Sequence, residues 1–275
     1  MGRDKVPLAL IGRLLQNLVK RAIGNSTPLL YVHASFDWMR ATATSPGEIN
    51  EALLDLAGSE GTLAMPSFPR RRQIDAYMAT GPVFDVRRTP TEAGLIAEVF
   101  RRMSGTVRSL HPWASVAARG PLARWIVADH HLDVNPFAPR SPFARMLEKD
   151  VLVLGLGVSL NTLSFIHVLD DDLRDRLPFP LYAASPATGR VIDGFGESHV
   201  VRTLALRSEI IDNIKPSAAL AELGTPPALI QLDRAGSAQV FTLRVRPFLE
   251  RCRHLAETAL AHGDVPSWHR QIPRA

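Results

Sequence analysis

The chain has 275 residues, 46% of them hydrophobic and 21% charged, which is enough apolar material for one large α/β core and too much for a disordered or fibrous protein. Its single cysteine, Cys252, rules out an internal disulfide and a cysteine-based zinc site and suits a reducing compartment, so a soluble cytoplasmic protein is expected. The formal net charge of +5 points to an anionic partner, but the arginines are scattered among acidic residues with no aromatic-interleaved basic stripe, which argues against nucleic acid and fits a phosphate-bearing cofactor.

Residues 1–26 read as an N-terminal amphipathic helix, with Leu14, Leu15, Leu18, Val19, Ala22 and Ile23 forming its apolar side and Arg13, Lys20 and Arg21 its basic one. Polar interruptions and the lack of a small-residue cleavage site exclude a signal peptide and a spanning helix. The helix is expected to pack on the domain, although a basic helix of this kind also suits a lipid surface. A strand over 29–32, a helix over 49–56 capped by Ser45-Pro46 and a strand over 61–66 then make one β-α-β unit. A helix over 91–102 turns Leu95, Ile96, Val99 and Phe100 inward, and strands follow over 115–118 and 151–154. Gly155 and Gly157 read as the turn after the second of these, with a helix from Thr162 onward.

After Asp172 the texture changes. Pro178, Pro180 and Pro186 precede short strands near 200–206 and 239–243 and a closing helix over 247–262, while residues 264–275 read as a loose tail. No linker divides the chain. The expected fold is α/β, a single domain over 27–263 with a mixed or largely parallel central sheet flanked by helices and an irregular, strand-containing second half.

The chemistry concentrates at Gly155-Leu156-Gly157 and the segment that follows, where His167 precedes Asp170, Asp171 and Asp172. On a helix, residues three and four positions beyond His167 share its face, so either Asp170 or Asp171 can hold the imidazole in one tautomer and support the charge it gains on taking a proton. That is the arrangement of a general base. His111 precedes Pro112 and so sits in extended or turn backbone suited to lining a pocket. His130 and His131 are expected to face solvent, and Arg70-Arg71-Arg72 to lie in a loop.

Ordered blocks from about Leu29 to about Leu249 resemble the aminoglycoside 3-N-acetyltransferase family. They are Val32-His33-Ala34-Ser35, the run from Gly61 to Phe68, Phe84-Asp85 with Thr89-Pro90, and Gly94 with the run Glu98 to Arg101. Arg108-Ser109-Leu110-His111-Pro112 with Ser115, Pro136-Phe137 with Ser141-Pro142, and Gly155-Leu156-Gly157 with Asn161-Thr162 and His167 complete the series. The resemblance implies an acyltransferase that moves an acetyl group from acetyl-coenzyme A to an amine, commonly on an amino sugar, without a metal. It places the catalytic base at His167 and an acidic partner at Asp170, where the family usually carries the longer Glu. Coenzyme contacts are implied for His33, Ala34, Ser35, Phe36 and Ser109, and the backbone N–H groups of Ala34, Ser35 and Phe36 are candidates to hold the oxyanion.

Acceptor contacts are expected from His111, Trp113, Arg140 and Asp171. Trp113 and Ala138-Pro139-Arg140 depart from what such sequences usually carry and would reshape an acceptor pocket. An arginine at its rim repels a polycation and favours a phosphate, so the expected acceptor is a weakly cationic amino sugar rather than a multiply charged aminoglycoside. The alternatives are a non-catalytic binding relative of the same fold, and an enzyme using another acyl donor or an oxygen acceptor. The expected partner is a small-molecule amine, and self-association is compatible with the sequence.

Overall fold

A computed structural model of the chain describes residues 8–24, 26, 28–35, 44–235 and 238–273. Its strands are β1 (Leu29–Ala34), β2 (Thr62–Pro66), β3 (Val83–Asp85), β4 (Val107–Arg108), β5 (Val116–Arg119), β6 (Leu152–Leu156), β7 (Ala187–Ile192), β8 (Ser198–Thr203), β9 (Ile230–Ala235) and β10 (Ala238–Arg244). The helices are α1 (Leu8–Ile23), α2 (Pro46–Ala57), α3 (Ile74–Ala79), α4 (Leu95–Arg102), α5 (Ala123–Val127), α6 (Pro142–Glu148), α7 (Ile166–Leu173), α8 (Ser208–Asn213), α9 (Pro216–Glu222) and α10 (Val245–Ala261).

The near-continuous apolar runs become the buried middle of a seven-stranded sheet ordered β4-β5-β2-β1-β6-β10-β9. Only β2, β1 and β6 run parallel; β5 and β4 on one side and β10 and β9 on the other are antiparallel, so the sheet is mixed. Helices cover both faces of the central strands, as parallel strands require. Leu30, Val32, Leu63, Met65, Leu152 and Leu154 meet Leu15 and Leu18 of α1, Ile49 and Leu53 of α2, and Ile96 and Phe100 of α4. Tyr31, Ala64 and Val153 point the other way, into the cluster that holds Phe143 of α6, Ile166 and Leu169 of α7, and Phe248 of α10.

The apolar stripe of α1 is covered by β9, β10 and α2, the packing expected for it, and Arg21 reaches Asp233 at 3.6 Å. No helix among the described residues is long and apolar enough to cross a membrane. Ser45 caps α2 as anticipated, in a box with Glu48: the Ser45 N–H donates to Glu48 Oε2 at 2.9 Å and the Glu48 N–H to Ser45 Oγ at 3.2 Å. The helix expected over 91–102 is shorter, because Gly94 at φ 110° keeps the preceding turn out of it.

Gly155 is not part of a turn. It lies inside β6, paired with His33, and a Cβ there would come within 2.1 Å of the Phe241 ring on β10. The turn falls to Gly157, whose φ of 66° favours glycine. Gly155→Ala is therefore expected to lower stability by about 1–3 kcal/mol through overpacking, read from chemical denaturation midpoints. A neutral effect would mean that Phe241 moves aside freely.

From the second half, β7 and β8 join β3 in a separate three-stranded sheet. The segment expected as a loose tail instead folds back: Val265, Trp268 and Ile272 are buried in the core and His269 is fully buried beside them. Its few apolar residues are spaced among prolines and polar groups, which hid their packing from a reading by periodicity.

Candidate functional site

The parallel strands β1, β2 and β6 end on the same edge of the sheet, where α/β folds place their ligands. A cavity of about 470 Å³ opens there, lined by His33, Ala34 and Ser35 at the end of β1, Pro66 and Phe68 at the end of β2, and Val158 and Ser159 beyond β6. His167 on α7 and Phe137 line it as well, as do Leu206, Ile211, Asp212 and Lys215 from the second half. Arg70, Arg71 and Arg72 also line it.

Asp170 is almost wholly buried behind His167, with Oδ2 3.5 Å from His167 Nδ1, a long approach of the kind that tightens when a substrate binds. Its other oxygen, Oδ1, accepts a hydrogen bond from Trp268 Nε1 at 2.9 Å. His269 Nε2 lies 2.9 Å from the same Oδ1, off the line of a well-formed hydrogen bond. Burial on its own would raise the carboxyl, but the flanking His269 and His167 outweigh it and hold Asp170 well below the usual carboxylate range.

Asp171 points elsewhere. It accepts from Asn135 Nδ2 at 2.5 Å, Tyr182 Oη at 2.9 Å and Arg174 Nη1 at 3.2 Å. Asn135 Oδ1 in turn accepts from the Phe137 N–H at 2.9 Å, and the Phe137 ring lies 5.4 Å from that of His167. Asp171 thus fastens the loop that brings Phe137 against His167, and lies outside the cavity lining.

His33 is nearly buried at the end of β1, its ring edge-on to Tyr31 and its Nε2 without a hydrogen-bond partner. Burial, reinforced by Arg71, pushes its pKa down to about 3, so it presents a neutral imidazole to the cavity. Of the N–H groups expected to hold an oxyanion, that of Ser35 is already donated to Leu156 O at 2.9 Å, and Phe36 lies outside the described residues.

Several expected contacts are corrected. Ser109 is buried away from the cavity, its Oγ accepting from the Val116 N–H at 2.9 Å and lying 3.0 Å from His130 Nδ1. His111 is buried too: Nδ1 accepts from the N–H groups of Trp113 and Ala114 at 3.3 and 2.9 Å, which leaves Nε2 to donate to Thr203 Oγ1 at 3.1 Å. A histidine with both ring nitrogens bound inside the protein pins a turn and does not line the cavity. Trp113 does line it, anchored by Nε1 on Leu204 O at 3.0 Å. Arg140 lies outside the lining, half exposed and 3.9 Å from Asp133.

His130, expected in solvent, is 1% exposed and stacks on His111 with ring centroids 4.4 Å apart. Burial pushes His130 down to about 3, against the pull of the Pro136 carbonyl, and burial pushes His111 well below its ordinary value. His33, His111 and His130 therefore bind protons only on unfolding, so between pH about 6.5 and about 3 the unfolded chain holds more protons and stability falls as the pH drops. Thermal midpoints should decline from neutral pH to about pH 4, and His130→Gln should make that decline shallower. Parallel declines would show that His130 is not protonated on unfolding.

The sequence reading missed the cavity role of Arg70, Arg71 and Arg72, although the run itself was visible, and it missed Trp268 and His269 altogether. Comparison with known sequences then decides the family. The sequence pattern of the aminoglycoside 3-N-acetyltransferase family matches residues 31–257. The chain belongs to this family.

Among its relatives, aminoglycoside N(3)-acetyltransferase IV from Salmonella is 40% identical over 136 residues, 49% of this chain and 49% of that protein. Aminoglycoside N(3)-acetyltransferase IX from Micromonospora chalcea is 36% identical over 130 residues, 42% and 46% of the two chains. Each match therefore spans about half the length of these curated relatives. A histidine-to-alanine variant of the acetyltransferase AAC(3)-IVa solved with apramycin superposes with TM-score 0.68 and 25% identity over 94% of this chain and 96% of that one. AAC-IIIb solved with CoASH shares the fold, with TM-score 0.70 and 21% identity over 90% and 96% of the chains.

Proposed function

We propose that the protein is an acetyl-coenzyme A-dependent N-acetyltransferase acting on an amine of an amino sugar, with His167 as general base. The observation that carries this reading is an imidazole in the wall of the cavity whose Nδ1 faces a buried, ionised carboxylate. With Nδ1 turned to Asp170, Nε2 is left for the acceptor. His167 takes a proton from the acceptor ammonium, and the neutral nitrogen bonds to the acetyl carbonyl carbon; when the carbon–sulfur bond breaks, that proton passes from His167 to the departing sulfur, and the proton still carried by the new amide nitrogen is lost to solvent. Membership of the acetyltransferase family supports the reading.

The donor fits the residues present. His33, Ala34 and Ser35 line the cavity end of β1, His33 offers an unpartnered Nε2, and Arg70, Arg71 and Arg72 can meet phosphates. When bound, acetyl-coenzyme A supplies an acetyl group activated as a thioester.

The acceptor carries few positive charges. Among the described lining residues, the side chains that carry a fixed charge are three arginines, Lys215 and a single carboxylate, Asp212, which itself lies 3.7 Å from Arg72. Arg70 is also held by Glu92 at 2.9 Å, so the excess positive charge rests on Arg71 and Lys215, and what the coenzyme's phosphates leave of it disfavours a polycation and tolerates a phosphate. The role first expected of Arg140 passes to this cluster. The test is release of coenzyme A thiol with acetyl-coenzyme A and three acceptors: glucosamine, a phosphorylated amino sugar and a multi-amine aminoglycoside. The phosphorylated or singly charged sugar should give the higher kcat/KM. A higher value for the aminoglycoside would overturn the charge argument, and no thiol release with any amine would favour a binding relative.

A further inference from the structure

We infer that the C-terminal turn is a working part of the site, in which Trp268 and His269 act as positioning residues that hold Asp170 against His167. This rests on the proposed role of His167, and it adds a second imidazole to that role. The segment could have capped the core with apolar side chains alone. Instead it delivers an indole N–H and an imidazole to one oxygen of a buried carboxylate, both at 2.9 Å, while the other oxygen faces His167 at 3.5 Å. Trp268, His269 and Asp170 are all nearly inaccessible to solvent, so the carboxylate is enclosed by protein. With Oδ1 fixed from behind, Oδ2 faces His167 alone among the described polar groups.

The groups that face Asp170 can be named. From α7 itself comes His167, and from the C-terminal turn come Trp268 and His269. Cys252 of α10 feels the carboxylate, but burial and that charge push its thiol up to about 12 and it stays neutral. Tyr182 also feels Asp170, and its phenol, raised chiefly by burial, stays neutral as well. Asp171, the next carboxylate on α7, is engaged by Asn135, Tyr182 and Arg174. Among the described residues, two imidazoles therefore share one negative charge. A positive charge on either imidazole competes with the other for Asp170.

Histidine titration followed by NMR in the unliganded full chain tests this without an acceptor. Asp170→Asn should lower the His167 midpoint, because the imidazolium loses its counter-charge. His269→Gln keeps a donor but removes the competing cation, and should raise the His167 midpoint by about 0.5–1 pH unit. In the Asp170→Asn background the same His269→Gln change should produce little of that shift, because the shared carboxylate is gone. In the unaltered protein the Trp268 indole N–H resonance should move with the same midpoint, which keeps the inference testable if the His269 variant does not fold. An unmoved His167 midpoint in His269→Gln, an equal shift in both backgrounds, or an indole resonance that ignores the titration would overturn it. Failure of acetyl transfer would count against His167 as base in acetylation and leave these titrations to be judged separately.

Discussion

Replacing His167 by Ala should lower kcat by about two to four orders of magnitude while leaving the affinity for coenzyme A nearly unchanged. The expectation follows from where the side chain stands. His167 lines the cavity from α7, and the candidate coenzyme contacts lie at the end of β1 and in the arginine run beyond Phe68, so truncating the imidazole removes no group argued to hold the donor. What it removes is the acceptor for a proton. An alkylammonium is not a nucleophile, and an acetyl transfer without a base must wait for the small fraction of acceptor that is already neutral. The defect should therefore shrink as the pH approaches the pKa of the acceptor ammonium, and its measurement across pH separates a missing base from a misfolded site. Isothermal titration with coenzyme A supplies the other half of the test. A variant with near-normal turnover, or one that loses coenzyme affinity in step with turnover, would remove His167 from the role.

The residues that made this argument legible in the sequence are those whose relation is local. His167 and Asp170 lie three positions apart on α7, so helical spacing alone brought them to one face, and Ser45-Pro46 announced the start of α2 just as locally. The buried runs of β1, β2 and β6 were equally plain. What spacing could not show is which of two adjacent carboxylates turns inward. That depends on Trp268 and His269, about a hundred positions later, and on Asn135 and Tyr182, which draw Asp171 away. The same limit applied to His111 and His130. Their polarity suggested a pocket or solvent, while the fold gives their ring nitrogens internal partners in Thr203, Ser109, the backbone of Ala114 and the Pro136 carbonyl. Gly155 looked like a turn because glycine usually is one; the ring of Phe241, brought over it by an antiparallel pairing of distant segments, is what requires its lack of a side chain.

Asp170→Asn should reduce kcat more than Asp171→Asn, by about tenfold or more against an effect of a few-fold, and the two should fail differently. The amide at position 170 keeps the shape but loses the charge that stabilises the imidazolium, and it can offer His167 an N–H donor where an acceptor is needed, which favours the wrong tautomer. Its pH profile should move as well. The acid limb of kcat/KM reports protonation of the free base, and a base without its counter-ion holds its proton less tightly, so that limb should shift to lower pH even as the plateau falls. Folding stability gives an independent reading of the same carboxylate. Because Asp170 is held below its unfolded value, its contribution is present above about pH 3.9 and lost as the pH falls through the native value, so the acid-induced loss of stability should be smaller in Asp170→Asn. Asp171→Asn, by contrast, weakens the ties to Tyr182 and Arg174 and loosens the loop that carries Phe137, which should raise the KM for the acceptor with little change in the acid limb. Equal and mild effects of the two substitutions, with unmoved pH profiles, would show that neither carboxylate governs the imidazole and that His167 works, if it works, without an orienting acid.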